Sequence, residues 1–208
     1  MVKVKICGIT NQKDASLAVK LGAHALGFIF APSPRQITPE TARDIISEMP
    51  PLLKTIGVFV NTDVDTIKKR ISFCGLDMVQ LHGEESPELC RELMPRTIKA
   101  FRVKDESSLS TINAYHGNVR ALLFDTYSDN KRGGTGQSFD WELAVKAKKL
   151  GIPIILAGGL APSNIKRAIS VVRPFAVDVN SGVEDSPGNK SPRLMKKLMD
   201  NIGEEFSG

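Results

Sequence analysis

Eight short apolar runs alternate with eight amphipathic stretches along this chain, and that alternation restricts the fold more than any other property. The runs cover residues 2–9, 25–30, 55–60, 78–81, 97–103, 121–125, 153–157 and 175–179. Helical periodicity fills the intervals over 14–21, 39–48, 64–74, 87–94, 141–150 and 164–172, more weakly over 107–115, and closes the chain over 191–202. Dividing 208 residues among eight repeats gives about 26 per strand–helix unit. Repeated βα units imply a parallel sheet, whose strands are covered on both faces and read as near-continuous apolar runs. Eight such units close most economically into an α/β barrel of the (β/α)8 TIM type, with the helices outside. An open doubly wound sheet would normally show a Gly-rich dinucleotide fingerprint after its first strand. Here Cys7-Gly8-Ile9-Thr10 stands in that place. No low-complexity linker interrupts the pattern, so residues 1–208 are expected to form one domain.

Side chains alternate between the two faces of a strand, so each run also reports what points inward. In the first strand Val2, Val4 and Ile6 share one face and Lys5 and Cys7 the other. In the fourth, Val79 and Leu81 oppose Gln80 and His82; in the last, Val177 and Val179 oppose Asp178 and Asn180. The apolar face should meet the helices and the polar face should line the barrel. Polar groups at strand C-terminal ends reach the rim where barrel enzymes work. Lys5 and Asp178 lie on strands that become neighbours on closure, which predicts an ion pair between them, because a buried charge is costly unless paired.

Four features carry candidate chemistry. Cys7 ends the first strand at a turn; it can be a buried structural thiol, or a base or nucleophile, and an unperturbed thiol already supplies a few per cent thiolate at neutral pH. Asp125 ends the sixth strand and can cap loop amides, or act as an acid beneath the long loop 126–140, whose Gly133-Gly134-Thr135-Gly136 suits a mobile cover. Gly158-Gly159 after strand seven and Asn180-Ser181-Gly182 after strand eight occupy the usual phosphate-binding loops of this barrel, where backbone N–H groups can approach an anion. Arg35, after strand two, has the planar fork that clamps a carboxylate. Of the three histidines, His24, His82 and His116, only His82 has pocket parity, and no spacing among them or the cysteines suits a metal.

Composition excludes several classes. The net charge is +5, but its densest groups, Lys68-Lys69-Arg70 and Lys146 to Lys149, fall on amphipathic helices. They read as solvated faces rather than the single basic stripe of a nucleic-acid binder. No apolar run reaches the roughly 20 residues of a membrane span. The N-terminus shows no signal-peptide pattern, so the cytoplasm is the expected location. Three widely spaced cysteines fit reduced thiols, with Cys74 and Cys90 serving as small core hydrophobes.

Val4-Lys5-Ile6-Cys7-Gly8-Ile9-Thr10 resembles the opening signature of the phosphoribosylanthranilate isomerases. The resemblance continues through Gly27-Phe28-Ile29-Phe30, Gly57-Val58-Phe59-Val60-Asn61, Val79-Gln80-Leu81-His82-Gly83, Gly133-Gly134-Thr135-Gly136 with Phe139-Asp140-Trp141, Ala157-Gly158-Gly159-Leu160 and Val177-Asp178-Val179-Asn180-Ser181-Gly182-Val183-Glu184. Asn180 stands where a serine is expected. The resemblance implies a cofactor-free and metal-free Amadori rearrangement in tryptophan biosynthesis, with Cys7 as general base and Asp125 as general acid. It implies a phosphorylated small-molecule substrate held by Arg35, His82, Gly158, Gly159, Asp178, Ser181 and Gly182, no nucleic-acid or membrane partner, and a monomer or homodimer. The related histidine-pathway isomerase would carry an aspartate at position 7 and two similar halves, and this chain has neither. A non-catalytic phosphosugar-binding barrel would not need both Cys7 and Asp125.

Overall fold

The computed structural model describes residues 2–102, 108–125 and 141–204. The glycine-containing loop 126–140 lies outside them, as do Val103 and Ser107 at the ends of two expected elements. Eight parallel strands form a closed barrel in sequence order: β1 (Lys3–Ile6), β2 (Ala25–Ile29), β3 (Lys54–Phe59), β4 (Met78–Leu81), β5 (Thr97–Arg102), β6 (Ala121–Asp125), β7 (Ile154–Ala157) and β8 (Ala176–Val179). Strand β8 returns to β1 in the register Lys5↔Asp178. The helices are α1 (Gln12–Lys20), α2 (Pro39–Ser47), α3 (Val64–Cys74), α4 (Pro87–Glu92), α5 (Ser108–Asn113), α6 (Trp141–Ala147), α7 (Ile165–Val172) and α8 (Pro192–Glu204). A polar hairpin, β9 (Glu184–Ser186) with β10 (Asn189–Lys190), follows β8. Apolar periodicity does not announce it.

Local chemistry sets the element ends. Asn11, Thr38, Asp63 and Ser86 each accept a hydrogen bond from the backbone amide three residues on, satisfying donors that the first helical turn leaves unpaired. The first apolar run extends to Ile9, yet β1 ends at Ile6, because Gly8 turns the chain with φ 72°. The basic clusters sit on helix surfaces as their periodicity predicts. Lys68 pairs with Glu92 at 3.7 Å, and Lys148 donates to the carbonyls of Val172 and Arg173 at the end of α7. Cys74 and Cys90 are buried free thiols, and burial pushes Cys90 up to about 12, so it remains an inert packing group. Among the described residues, no helix is long and apolar enough to cross a membrane.

Two apolar layers hold the barrel. Ile6, Leu26, Phe28, Phe59, Leu81, Leu122, Phe124, Leu156 and Val177 pack with the helices. Ala25, Ile56, Ile98, Ala100, Leu123, Ile155 and Ala176 form a separate inner cluster. The expectation of a polar inner face holds on β1, β4 and β8, where Lys5, Gln80 and Asp178 are buried. It fails lower in β3, β5, β6 and β7, whose inward residues are apolar. A barrel floor closed to water has nothing to solvate polar groups, so the inner face of those strands is hydrophobic there as well.

Lys99 reverses the expected parity, being a charged residue on the helix-facing side of β5 and 2 % exposed. It ion-pairs with Glu85 at 3.1 Å and donates to the carbonyls of Gly83 at 2.7 Å and Leu81 at 3.3 Å. Glu85 in turn accepts from the amides of Asn61 and Gly83. This pair pins the turn after β4, where His82 sits. Lys99→Met leaves Glu85 buried without its cation and should cost about 3–5 kcal/mol. Denaturant unfolding measures this directly, and an unchanged midpoint would contradict the clamp.

Candidate active site

The groups expected to carry chemistry converge where β1, β4, β6 and β8 end. Gly27 makes room for them: a Cβ there would stand 2.6 Å from Cys7 Sγ and 2.9 Å from Lys5 Cε. Lys5 and Cys7 therefore lie across β2 only because that position is glycine. Lys5 Nζ donates to Asp178 Oδ2 at 2.8 Å and to Gln80 Oε1 at 2.5 Å. This is the ion pair that strand parity predicts, extended by an amide. Burial alone would lower the Lys5 ammonium, but Asp178 and Cys7 together raise it, so it stays charged. Asp178 Oδ1 is buried and has no hydrogen-bond partner among the described residues.

Burial pushes the Cys7 thiol up, and the charge of Asp178 adds to this, while Lys5 and Lys190 pull it down. The net direction is upward, so the few per cent of thiolate expected for an unperturbed cysteine overstates the ionised fraction. The reason is desolvation: Cys7 is 5 % exposed, and a thiolate there loses most of its hydration.

Asp125 and His82 meet at the same rim. His82 Nε2 lies 3.2 Å from Asp125 Oδ2, and the two side chains are 20 % and 22 % exposed. On its other side His82 Nδ1 is 3.0 Å from Gln80 Nε2. Lys5, Gln80, His82 and Asp125 thus form one continuous hydrogen-bonded row from β1 through β4 to β6.

Arg35 does not stand free in its loop. Its Nε and Nη2 grip the Glu184 carboxylate at 2.9 and 2.7 Å, and Lys190 Nζ reaches the same carboxylate at 2.8 Å. Burial would raise Glu184, yet the hydrogen bonds from Arg35 and Lys190 hold it below the usual carboxylate range. Lys190 also donates to Asn180 Oδ1 at 2.9 Å, so the side-chain carbonyl of the residue that replaces the expected serine has a defined structural use. Gly8 packs between them, since a Cβ there would lie 2.6 Å from Asn180 Oδ1 and 2.9 Å from Arg35 Cδ.

The loops after β7 and β8 touch. Gly158 and Gly159 take positive φ values of 84° and 61°. A Cβ on Gly182 would stand 1.9 Å from the Leu160 carbonyl oxygen, so Gly182 is what allows this contact. Ser181 and Gly182 lie in a single 3-10 turn. Asn164 braces the β7 loop by accepting from the Ala161 amide and donating to the Gly159 carbonyl. A cleft of about 460 Å³ lined by Phe30, Pro39, Phe59, Thr66 and Arg70 opens between α2 and α3, outside the barrel, and contains none of these groups.

The residues missed from sequence were chiefly partners. Inward parity marked Gln80 without indicating its role. Glu184 stands in the sequence only as the last residue of the block from Val177 to Glu184, and Lys190 gives no signal because hairpin periodicity does not reveal burial.

Comparison with known proteins completes the assignment. The family model described as N-(5'phosphoribosyl)anthranilate (PRA) isomerase matches residues 4–201. The N-(5'-phosphoribosyl)anthranilate isomerase of Citrifermentans bemidjiense is 52 % identical over 200 residues, covering 96 % of each chain. A crystal structure of phosphoribosyl anthranilate isomerase in complex with reduced 1-(o-carboxyphenylamino)-1-deoxyribulose 5-phosphate superposes with a TM-score of 0.88 at 43 % identity, over 98 % of this chain and 100 % of that one. Monomers generated from the dimeric phosphoribosylanthranilate isomerase of Thermotoga maritima give a TM-score of 0.88 at 42 % identity with the same coverage. By family model, sequence identity and barrel architecture, this chain belongs to the N-(5'-phosphoribosyl)anthranilate isomerase family.

Proposed function

We propose that the chain rearranges N-(5'-phosphoribosyl)anthranilate to 1-(2-carboxyphenylamino)-1-deoxyribulose 5-phosphate, with Asp125 as general acid and Cys7 as general base. The observation that carries this reading is the convergence on one barrel rim of a carboxyl group, a thiol beside a buried ammonium, and two touching glycine loops. In the first step Asp125 protonates the furanose ring oxygen as the ring C–O bond breaks, leaving an open-chain Schiff base. Cys7 then removes the proton from C2, and the electron pair moves into an enolamine that tautomerises to the ketone. Each proton transfer by a positioned group contributes about 10²–10⁴-fold. Positioning in the pocket supplies the remainder.

The same geometry supports a reading of substrate binding. The loops at Gly158, Gly159, Ser181 and Gly182 suit the phosphate, because glycine lets backbone amides approach an anion. Arg35, fixed from one edge by Glu184, is placed to offer its remaining N–H groups to the anthranilate carboxylate. Asp178 Oδ1, buried and unpartnered among the described residues, suits a sugar hydroxyl. The Thermotoga relative is dimeric, and this chain exposes Leu52 and Phe175, 93 % and 58 % accessible, at the opposite end of the barrel. We take homodimerisation through that end as its assembly; sedimentation should give twice the chain mass for the wild type and a monomer for Leu52→Glu.

Cys7→Ser replaces the base with a hydroxyl too weakly acidic to form an anion and should lower kcat by about 10²–10⁴-fold with little change in KM. Asp125→Asn should lower kcat on a similar scale. Substrate supplied as the open Schiff base should rescue Asp125→Asn more than Cys7→Ser, and near-normal kcat in either variant would refute the acid–base pair. Because activity needs the thiolate and burial raises the thiol, kcat/KM should climb with pH into the alkaline range. That limb should disappear in Cys7→Ser. Sulfate or phosphate soaked into crystals should bind at Gly159, Ser181 and Gly182; ordered binding elsewhere with those loops empty would contradict the phosphate assignment.

A further inference from the structure

We infer that Gln80 is a positioning residue that locks His82 in the Nε2–H tautomer, so that Asp125 receives a hydrogen bond from a neutral imidazole and not from an imidazolium. The inference rests on the reading of Asp125 as general acid and adds a requirement that reading leaves open: how a carboxyl group beside a histidine remains able to carry a proton.

Each link of the row restricts the next. The Lys5 ammonium has three donors and no acceptor, so the end of the Gln80 amide facing it must be the carbonyl. Lys5 Nζ to Gln80 Oε1 is accordingly the shortest contact in the row, at 2.5 Å. The opposite orientation would set an NH2 group against the ammonium. With Oε1 turned to Lys5, Gln80 Nε2 faces His82 Nδ1 at 3.0 Å. An amide nitrogen only donates, so Nδ1 must present its lone pair. The single ring proton then resides on Nε2, 3.2 Å from Asp125 Oδ2. A second ring proton on Nδ1 would meet the amide NH2 head-on. Lys5 is itself held by Asp178 at 2.8 Å, so the direction of every donor in the row traces back to a buried ion pair.

The consequence is chemical. An imidazolium beside Asp125 would form a charge-assisted ion pair and favour the ionised carboxylate. A neutral N–H orients the carboxyl group and favours its ionised form less than an imidazolium would, so it opposes less the uptake of the proton that Asp125 must deliver to the ring oxygen. Gln80 touches neither substrate nor the reacting atoms in this scheme, and its effect passes through His82.

The test reads the ring nitrogens directly. Long-range proton–nitrogen correlation spectra of the full chain labelled with 15N-histidine, with His82 assigned by its loss in His82→Asn, should show a bare Nδ1 and a protonated Nε2 at neutral pH. A protonated Nδ1 in the wild type overturns the inference. In Gln80→Glu a carboxylate accepts from both neighbours, so Nδ1 should become protonated and kcat should fall about 10–100-fold with KM changed less than about twofold. If that variant does not fold, Gln80→Met keeps the volume, removes the donor and should show both tautomers with reduced kcat. Nδ1 protonation with unchanged kcat overturns the catalytic consequence. Asp125→Asn separates the two readings: normal turnover in that variant with a bare Nδ1 in the wild type would refute the acid assignment while the tautomer lock stands.

Discussion

A lysine ammonium inside a closed barrel is the constraint around which the site is arranged. Lys5 is 2 % exposed, and a cation there is tolerated only with an anion and further acceptors around it. Asp178 supplies the anion from the neighbouring strand and Gln80 a carbonyl from β4, while Cys7 lies two residues on along the same face. The adjacent strands β1 and β8 and the more distant β4 are thereby tied to one charge. Removing it would leave Asp178 buried without a counter-ion and Gln80 without a reason to present its NH2 group to His82.

A second set of charges is built in the same way beside the end of β1. Glu184 is 4 % exposed at its side chain and is gripped by Arg35 on one side and Lys190 on the other. Neither cation is available as a freely moving surface charge. The Arg35 guanidinium plane is therefore fixed in advance, with one edge bound to the Glu184 carboxylate. The Lys99–Glu85 pair does comparable work outside the barrel, holding the turn that carries His82. In each case a side chain or turn that would move on its own is held by a buried charge pair.

Glycine has a different part, that of clearing space. Gly27 accommodates Lys5 and Cys7, Gly8 accommodates Arg35 and Asn180, and Gly182 lets two loops touch. At all three positions the added Cβ would stand closer than 3.0 Å to another group, so these glycines are dictated by approach distance even where φ is ordinary.

The sequence by itself determined the barrel, the strand order and the inward placement of Lys5, Cys7, Gln80, His82 and Asp178, because burial on two faces and a period of two leave direct traces in residue order. It also placed Asp125 at a strand end, the Gly158-Gly159 pair after strand seven and Gly182 after strand eight. Apart from the Lys5–Asp178 pair, which parity and barrel closure already predict, tertiary structure decided which side chain meets which. Arg35 was legible as a fork but not as a fork already engaged by Glu184, 149 positions away. Cys7 was legible as a thiol at the rim, but not as one raised by desolvation, since burial is a property of the closed barrel and not of the strand. Gln80 was legible as inward-facing, while the direction of its amide is set only when Lys5 and His82 stand on either side of it. Periodicity encodes faces, which are local; hydrogen-bond direction and desolvation arise between strands that only closure brings together.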